Sequence, residues 1–281
     1  MSAALDAYCV MGDPIAHSRS PWIHARFAEL TGERLSYEAR RVPLADFADA
    51  LRHFALEGGR GCNITVPLKH EAARLANTRS ERVVQAGAAN MLVLQDGRIH
   101  ADNTDGLGLV ADIEQGALVP LAGRDVLLIG AGGAAAGVLG PLLARAPRRI
   151  AVCNRTAARA KELVVRHLDS AILSKTELFA LDQQALEADF DLIINATSSS
   201  LSGGPVPVPA SVLRPGALAY DMMYGPPAQG FLDWATRHGA IARDGLGMLV
   251  RQAAESFALW RGVRPPSGQV LAELRALLAS T

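Results

Sequence analysis

The sequence predicts an α/β protein of two domains built on mainly parallel sheets. Three observations carry that expectation. Strand-like and helix-like segments alternate from the first residues onward, the pattern of an α/β chain. The chain has 281 residues, where a single domain commonly runs to about 100–200. Hydrophobic residues make up 49% of it, enough for packed cores rather than a disordered polar chain.

The elements follow from local signals. Tyr8-Cys9-Val10-Met11 is a short apolar run stopped by Gly12-Asp13-Pro14. Ser20-Pro21 reads as a helix cap followed by proline at the first helical position, where the missing N–H costs nothing. That helix carries Trp22, Ile23, Phe27 and Leu30 and ends near Gly32. Residues 37–42 read as a strand and 46–56 as a helix. Gly58-Gly59-Arg60-Gly61 reads as a flexible turn into a strand over 62–66, ended by Pro67. Short helices are expected around 71–76 and 80–86. Apolar runs at 91–94 and 98–101 flank Asp96-Gly97, a hairpin signal. Leu107, Val110, Ile113 and Leu118 suggest a connecting helix, and the best domain boundary lies at 106–120. A second βαβ series then begins, with strands at 125–129 and 149–153 and helices at 134–145 and 157–167. Strands at 191–195 and 217–222 are joined by a Gly/Pro-rich loop over 198–209. Helices at 231–238, 248–260 and 270–278 close the chain.

Charge and cysteine use narrow the function classes. Lys+Arg and Asp+Glu each number 28, so the formal net charge is zero. That balance argues against a nucleic-acid or anionic-membrane surface. No apolar run approaches the roughly 18 residues of a membrane span, and residues 1–7 carry no basic cluster or long apolar stretch of a secretory signal. The three cysteines, Cys9, Cys62 and Cys153, lie far apart in strand-like runs, and none pairs in C-x-x-C spacing. They read as small buried hydrophobes in a cytoplasmic protein. The seven histidines show no metal-ligand spacing, so no metal is expected.

The glycine-rich turn in DVLLIGAGGAAAG has the context a dinucleotide site requires: strand, then G-x-G-x-x-A, then helix. Gly130 permits the tight turn, and Gly132 lets a pyrophosphate approach the backbone. Ala135 keeps helix and strand close. Phosphate would accept from N–H groups at the helix N-terminus. Such turns also serve as plain strand–helix connections, but here the flanking pattern favours the ligand. NAD enzymes place a carboxylate at the end of the next strand, on the ribose 2′-hydroxyl. This sequence instead has Asn154-Arg155-Thr156, with Arg159 one turn on. With no acid to repel a 2′-phosphate and guanidinium groups to bind one, the cofactor expected is NADP.

Other polar groups fall at segment ends. Asn63 and Thr65 alternate with Cys62, Ile64 and Val66, and Lys69 follows the proline. One polar face of a strand could line a cleft for a polyhydroxylated molecule, or be an ordinary half-exposed edge; the strand alone does not choose. Asn90 and Asp102-Asn103-Thr104-Asp105-Gly106 add candidates, and one of the two aspartates is expected to cap a helix. His17-Ser18-Arg19-Ser20 is a hydroxyl-rich turn.

Together these segments resemble the shikimate dehydrogenase family over nearly the whole chain. The matching blocks, in the family's order, are GDPIAHSRSP, NITVPLK, GAAN, DNTDG, IGAGGAAAGV, NRT, INATSS, YDMMY and DGLGMLVRQAA. The resemblance implies NADPH-dependent, reversible reduction of 3-dehydroshikimate to shikimate in aromatic amino-acid (chorismate) biosynthesis. It implies a substrate domain, residues 1–105 completed by 244–281, and a Rossmann NADP-binding domain, 106–243, with the cleft between them. It places Lys69 and Asp105 as the catalytic pair. Substrate contacts would be Ser18 and Ser20, serving the carboxylate, with Asn63, Thr65, Asn90, Tyr224 and Gln252. Cofactor contacts would be Glu81, Gly130, Ala131, Gly132, Gly133, Ala134, Asn154, Arg155, Thr156, Arg159, Met222 and Gly245. Asp13 stands where the family usually has Asn, and Gln229-Gly230 where Thr-Pro is typical; both bear on loop conformation. Lys69 as an ammonium can donate to the alkoxide left by hydride transfer, or only anchor its charge, while Asp105 orients it. Two readings compete: a quinate/shikimate dehydrogenase with relaxed substrate or cofactor use, and a non-catalytic NADP-binding sensor. The protein is expected to act on small molecules as a monomer or homodimer, without nucleic acid or membrane.

Overall fold

A computed structural model describes residues 5–182, 186, 189–197 and 204–280. The chain runs β1 (Asp6–Gly12), α1 (Ser20–Thr31), β2 (Leu35–Arg41), α2 (Phe47–Leu56), β3 (Gly59–Ile64), α3 (Lys69–Leu75), β4 (Thr78–Arg79), α4 (Glu81–Ala86), β5 (Met91–Gln95), β6 (Arg98–Asp102) and α5 (Asp105–Ala111). It continues through β7 (Asp125–Ile129), α6 (Gly133–Leu143), β8 (Arg149–Cys153), α7 (Ala157–Arg166), α8 (Leu168–Ser174), β9 (Glu177–Leu181), β10 (Phe190–Asn195), β11 (Leu213–Asp221), α9 (Gln229–Arg237), β12 (Ile241–Arg243), α10 (Leu246–Arg261) and α11 (Ser267–Ala279). It divides into two compact units, Met1–Gly108 with Leu249–Thr281, and Leu109–Met248.

The first unit holds a six-stranded sheet in the order β2-β1-β3-β5-β6-β4. The expectation of mainly parallel strands needs correction here. β3 pairs β5, and β5 pairs β6, antiparallel. The β5–β6 hairpin turns through Asp96 and Gly97, both at positive φ (50° and 70°), the backbone of a tight two-residue turn. The glycines at 59 and 61 are not a flexible turn but part of β3. A side chain at Gly59 would strike the Phe54 ring, and one at Gly61 the Trp260 indole, so the strand is glycine-rich because two aromatics lie on its backbone. β3 also stops at Ile64, short of the expected 66, because the Leu68 N–H turns back to the Thr65 carbonyl at 2.9 Å. Ser20 does not cap α1; Arg19 occupies that position, and the Ser18 hydroxyl accepts the Ser20 N–H at 3.3 Å.

The second unit is the parallel sheet expected, in the order β12-β11-β10-β7-β8-β9. Chain order reverses between β7 and β10, the switch point at which doubly wound sheets take ligands at their strand ends. β4, β9, β12 and α8 had no counterpart among the expected elements. The connecting helix ends sooner than its apolar spacing suggests. After α5 the backbone widens into a π turn over Asp112–Gly116. That turn buries the Asp112 carboxylate, which accepts from Arg243 (2.7 and 2.8 Å) and from the Tyr220 hydroxyl (2.9 Å). Leu118, expected on the buried face, is 80% exposed at positive φ. Residues 198–203 of the Gly/Pro-rich loop, including the serines that close the INATSS block, lie outside the described residues. Cys9, Cys62 and Cys153 are free and buried in β1, β3 and β8. Among the described residues no helix is long and apolar enough to cross a membrane, and no group of His, Cys, Asp and Glu could hold a metal ion.

His24 is fully buried in α1, its ring stacked on Tyr37 with centroids 4.1 Å apart. Neither ring nitrogen has a hydrogen-bond partner. Burial pushes the imidazole down to about 3 from 6.5, although the neighbouring Asn63 side chain favours the charged form. The unfolded chain therefore takes up a proton near pH 6.5 that the folded chain refuses until about 3. Stability from this group is complete above the unfolded value and falls as pH drops through that window, by about 1.4 kcal/mol per pH unit. His24→Phe keeps the stack and removes the titration. Its loss of stability between pH 7.5 and 5.0 should be about 2 kcal/mol smaller than that of the wild type. Urea unfolding at the two pH values measures this, and equal losses would show that His24 does not titrate as described.

Candidate active site

In the first unit the polar groups singled out from sequence converge on one ion pair. The turn after β3 delivers Lys69 as the first residue of α3, and Asp105 opens α5. Lys69 Nζ donates to Asp105 Oδ2 at 2.5 Å, with the two side chains 14% and 7% exposed. This is not the solvated surface pair worth about 0–1 kcal/mol. Two charges so far from water need good geometry and saturated hydrogen bonding.

For Asp105 the neighbours supply both. The second oxygen, Asp105 Oδ1, accepts from Asn90 Nδ2 at 2.9 Å. The amide orientation of Asn90 is fixed by a backbone donor, since the Thr104 N–H can only donate and does so to Asn90 Oδ1 at 2.7 Å. Nδ2 therefore faces Asp105, the Thr104 hydroxyl at 2.9 Å and Gln252 Oε1 at 3.1 Å. The loop before Asp105 is held from below. Asp102 accepts from Arg82 (2.7 and 3.1 Å), the Ser80 hydroxyl and the Asn103 N–H. Neither aspartate takes the cap role expected of it: Ser80 caps α4, and Asn103 Oδ1 accepts the Asp105 N–H at 3.1 Å.

Asn63 continues the network. Its Nδ2 donates to the Asn90 carbonyl at 3.2 Å and to Ser256 Oγ at 2.9 Å, and its Oδ1 accepts from the Tyr37 hydroxyl at 2.8 Å. Ser256 Oγ lies 3.2 Å from the Thr104 hydroxyl, which closes the circuit. Thr65 sits just past β3, its N–H on the Met11 carbonyl at 3.0 Å and its methyl in the space a side chain at Gly12 would need. Ser18 and Ser20 remain together at the start of α1, with Ser20 buried.

The second unit builds the other half of the sequence reading. Gly130 has φ 112°, and a side chain there would press on the Ala196 carbonyl at 3.1 Å, so no other residue fits the turn. Gly132 opens on free space, the cradle that a Cβ would fill. Gly133 then starts α6, with no acidic residue in its first turn, so unpaired N–H groups meet any anion without repulsion. At the end of β8, Asn154 Nδ2 donates to the Thr156 carbonyl at 2.9 Å and shapes the entry to α7. Arg155 and Arg159 are exposed and make no ion pair among the described residues. Met222 and Gly245 meet backbone to backbone: a Cβ on Gly245 would lie 2.3 Å from the Met222 carbonyl oxygen. These residues suit a dinucleotide with a 2′-phosphate. Tyr224 belongs to the second unit and Glu81 to the first, so neither is gathered within one unit with the residues it was grouped with.

Tyr37, Thr104 and Ser256 were not singled out as site residues. Ser256 had a readable signal, since it follows Gln252 by one helical turn and shares its face. Thr104 lay inside a noted motif. Tyr37 had no signal beyond being a polar aromatic in a strand.

Comparison with known proteins gives a consistent picture. Family models match at residues 10–92 (shikimate dehydrogenase substrate binding domain), 112–202 (shikimate/quinate 5-dehydrogenase) and 245–275 (shikimate 5′-dehydrogenase C-terminal domain). The shikimate dehydrogenase (NADP(+)) of Acidovorax sp. (strain JS42) is 77% identical over 280 residues, covering 100% of this chain and 99% of that protein. Among solved structures, an Ael1 enzyme from Pseudomonas putida is 46% identical with a TM-score of 0.88, covering 96% of this chain and 98% of its own. Shikimate 5-dehydrogenase from Thermus thermophilus, in complex with NADP(H) and shikimate, is 31% identical with a TM-score of 0.82, covering 97% of this chain and 99% of its own.

Proposed function

The chain belongs to the shikimate dehydrogenase family, and from that premise we propose which of its residues carry the reaction. The protein is an NADP-dependent oxidoreductase that reversibly reduces 3-dehydroshikimate to shikimate in aromatic biosynthesis. The observation that supports the residue assignment best is the Lys69–Asp105 pair, 2.5 Å apart and held by Asn90.

NADPH, when bound, supplies the hydride to the substrate's ketone. Lys69 stabilises the negative charge that develops on the ketone oxygen and gives it a proton. In the oxidative direction the same nitrogen, in the neutral amine form that this donation leaves, takes the hydroxyl proton. Asp105 keeps Nζ aimed, because its other oxygen is already committed to Asn90 and cannot swing away. Ser18 and Ser20 receive the substrate carboxylate, and Asn63, Thr65, Asn90, Gln252 and Tyr224 meet its hydroxyls. The first unit is thus the substrate domain and the second the cofactor domain. Gly130, Ala131, Gly132, Gly133 and Ala134 would hold the cofactor's pyrophosphate. Arg155 and Arg159, with Asn154 and Thr156, would take the 2′-phosphate, and Met222 and Gly245 would complete the cofactor's surroundings in the second unit. The three free, buried thiols support the reading of a cytoplasmic enzyme in a reducing compartment.

Two substitutions test this assignment. Lys69→Ala should lower kcat for shikimate oxidation by about 10²–10⁴ with a smaller change in KM, read by steady-state NADPH formation. Near-normal turnover would remove Lys69 from the chemistry. Arg155→Ala should weaken NADPH by about 1.5–3 kcal/mol, the worth of hydrogen bonds to a charged group, and leave NADH nearly unchanged. Equal losses with both cofactors would refute the phosphate assignment.

A further inference from the structure

Asn63 is a hydrogen-bonding group with almost no freedom left. One of its side-chain atoms faces the Asn90 main-chain carbonyl at 3.2 Å. A carbonyl only accepts, so that atom must be the NH₂. The same NH₂ spends its second proton on Ser256 Oγ at 2.9 Å. Oδ1 is then forced toward Tyr37, whose hydroxyl must be the donor at 2.8 Å. The tyrosine is itself held. Its ring is stacked on buried His24, 4.1 Å between centroids and within 4° of parallel. Burial pushes its phenol well above the ordinary value, so the proton it donates stays on the oxygen.

With both N–H groups occupied and one lone pair of Oδ1 taken, a single acceptor site remains on Asn63. We propose that Tyr37 is a positioning residue for substrate selection: with the amide's orientation set by the Asn90 carbonyl, the Tyr37 hydroxyl occupies one lone pair of Oδ1 and holds it in place, so that the substrate group meeting Asn63 must be a hydroxyl donor and not the carboxylate. Ser256 holds the amide from the other side and joins it, through Thr104, to the Asn90 amide that grips Asp105. The inference rests on the proposed contact between Asn63 and substrate. It adds the direction of that hydrogen bond, which the Asn90 carbonyl sets, and the residue that holds the accepting oxygen in place.

The test is Tyr37→Phe, which removes one oxygen and keeps the stack on His24. KM for shikimate should rise about 5- to 20-fold, the effect of freeing one hydrogen-bonding group, with kcat within about twofold and KM for NADP unchanged. In an Asn63→Ala background the same substitution should have no further effect on KM. Ser256→Ala, which frees the amide from its other side, should also raise KM for shikimate. Independently of turnover, NMR of selectively ¹⁵N-labelled asparagine should show a dispersed Asn63 NH₂ pair in the wild type that sharpens toward free-amide positions in Tyr37→Phe. An unaltered KM, or the same KM rise with and without Asn63, overturns the proposal, as does an Asn63 signal indifferent to Tyr37. A wild type that does not oxidise shikimate would refute the functional reading instead, and the NMR comparison alone would then decide whether Tyr37 positions Asn63.

Discussion

An ammonium held against a carboxylate, both largely withdrawn from water, constrains everything around it. Removing such charges from solvent costs several kcal/mol per ion unless the remaining lone pairs and protons are satisfied. Asp105 meets that demand through groups that have no other choice. Asp105 Oδ1 is taken by Asn90, whose amide is turned by the Thr104 N–H. Asp102 is taken by Arg82 and Ser80, so the loop that presents Asp105 cannot relax. Each fixed group in turn fixes the next, out to Ser256, Asn63 and Tyr37. A neutral alcohol or ketone entering such a site meets donors and acceptors already aimed, which is the condition for electrostatic catalysis without reorganisation.

The second unit answers a different demand, close approach of a polyanion to backbone. Its solution lies in what is missing rather than in what is bonded. Gly130 adopts a backbone that L side chains avoid, Gly132 leaves space, and α6 begins without an acid. Arg155 and Arg159 stand exposed and without ion-pair partners among the described residues, unlike most arginines of this chain, which are paired to carboxylates. Guanidinium groups left uncommitted at the end of the strand beside the glycine-rich turn suit the 2′-phosphate site proposed for them.

Much of this was legible in the sequence because the signals were local. The strand–glycine turn–helix unit, the Asp96-Gly97 hairpin, the stop of α1 at Gly32 and the strand ending at Cys153 all follow from residue chemistry within a few positions. What escaped depended on partners distant in sequence. The glycines at 59 and 61 looked like a turn because Phe54 and Trp260, which lie on them, are invisible to a local reading. Ser20 looked like a cap because Pro21 follows it, a local misreading: the helix already starts at Ser20, with Arg19 in the cap position. Leu118 looked buried because the helical period was carried past Asp112, where a buried ion pair breaks it. In the site, the charged and amide groups were found through their motifs. Tyr37 and Ser256 were not, since a hydroxyl that acts on another side chain leaves no pattern of its own.

The most direct test of the central claim is the single-turnover reduction of 3-dehydroshikimate by bound NADPH in Asp105→Asn. This change keeps the shape of the side chain and removes its charge. If the Lys69–Asp105 pair carries the proton chemistry, the rate falls by about 10²–10⁴ while NADPH affinity stays within about twofold. A rate close to that of the wild type would contradict the account.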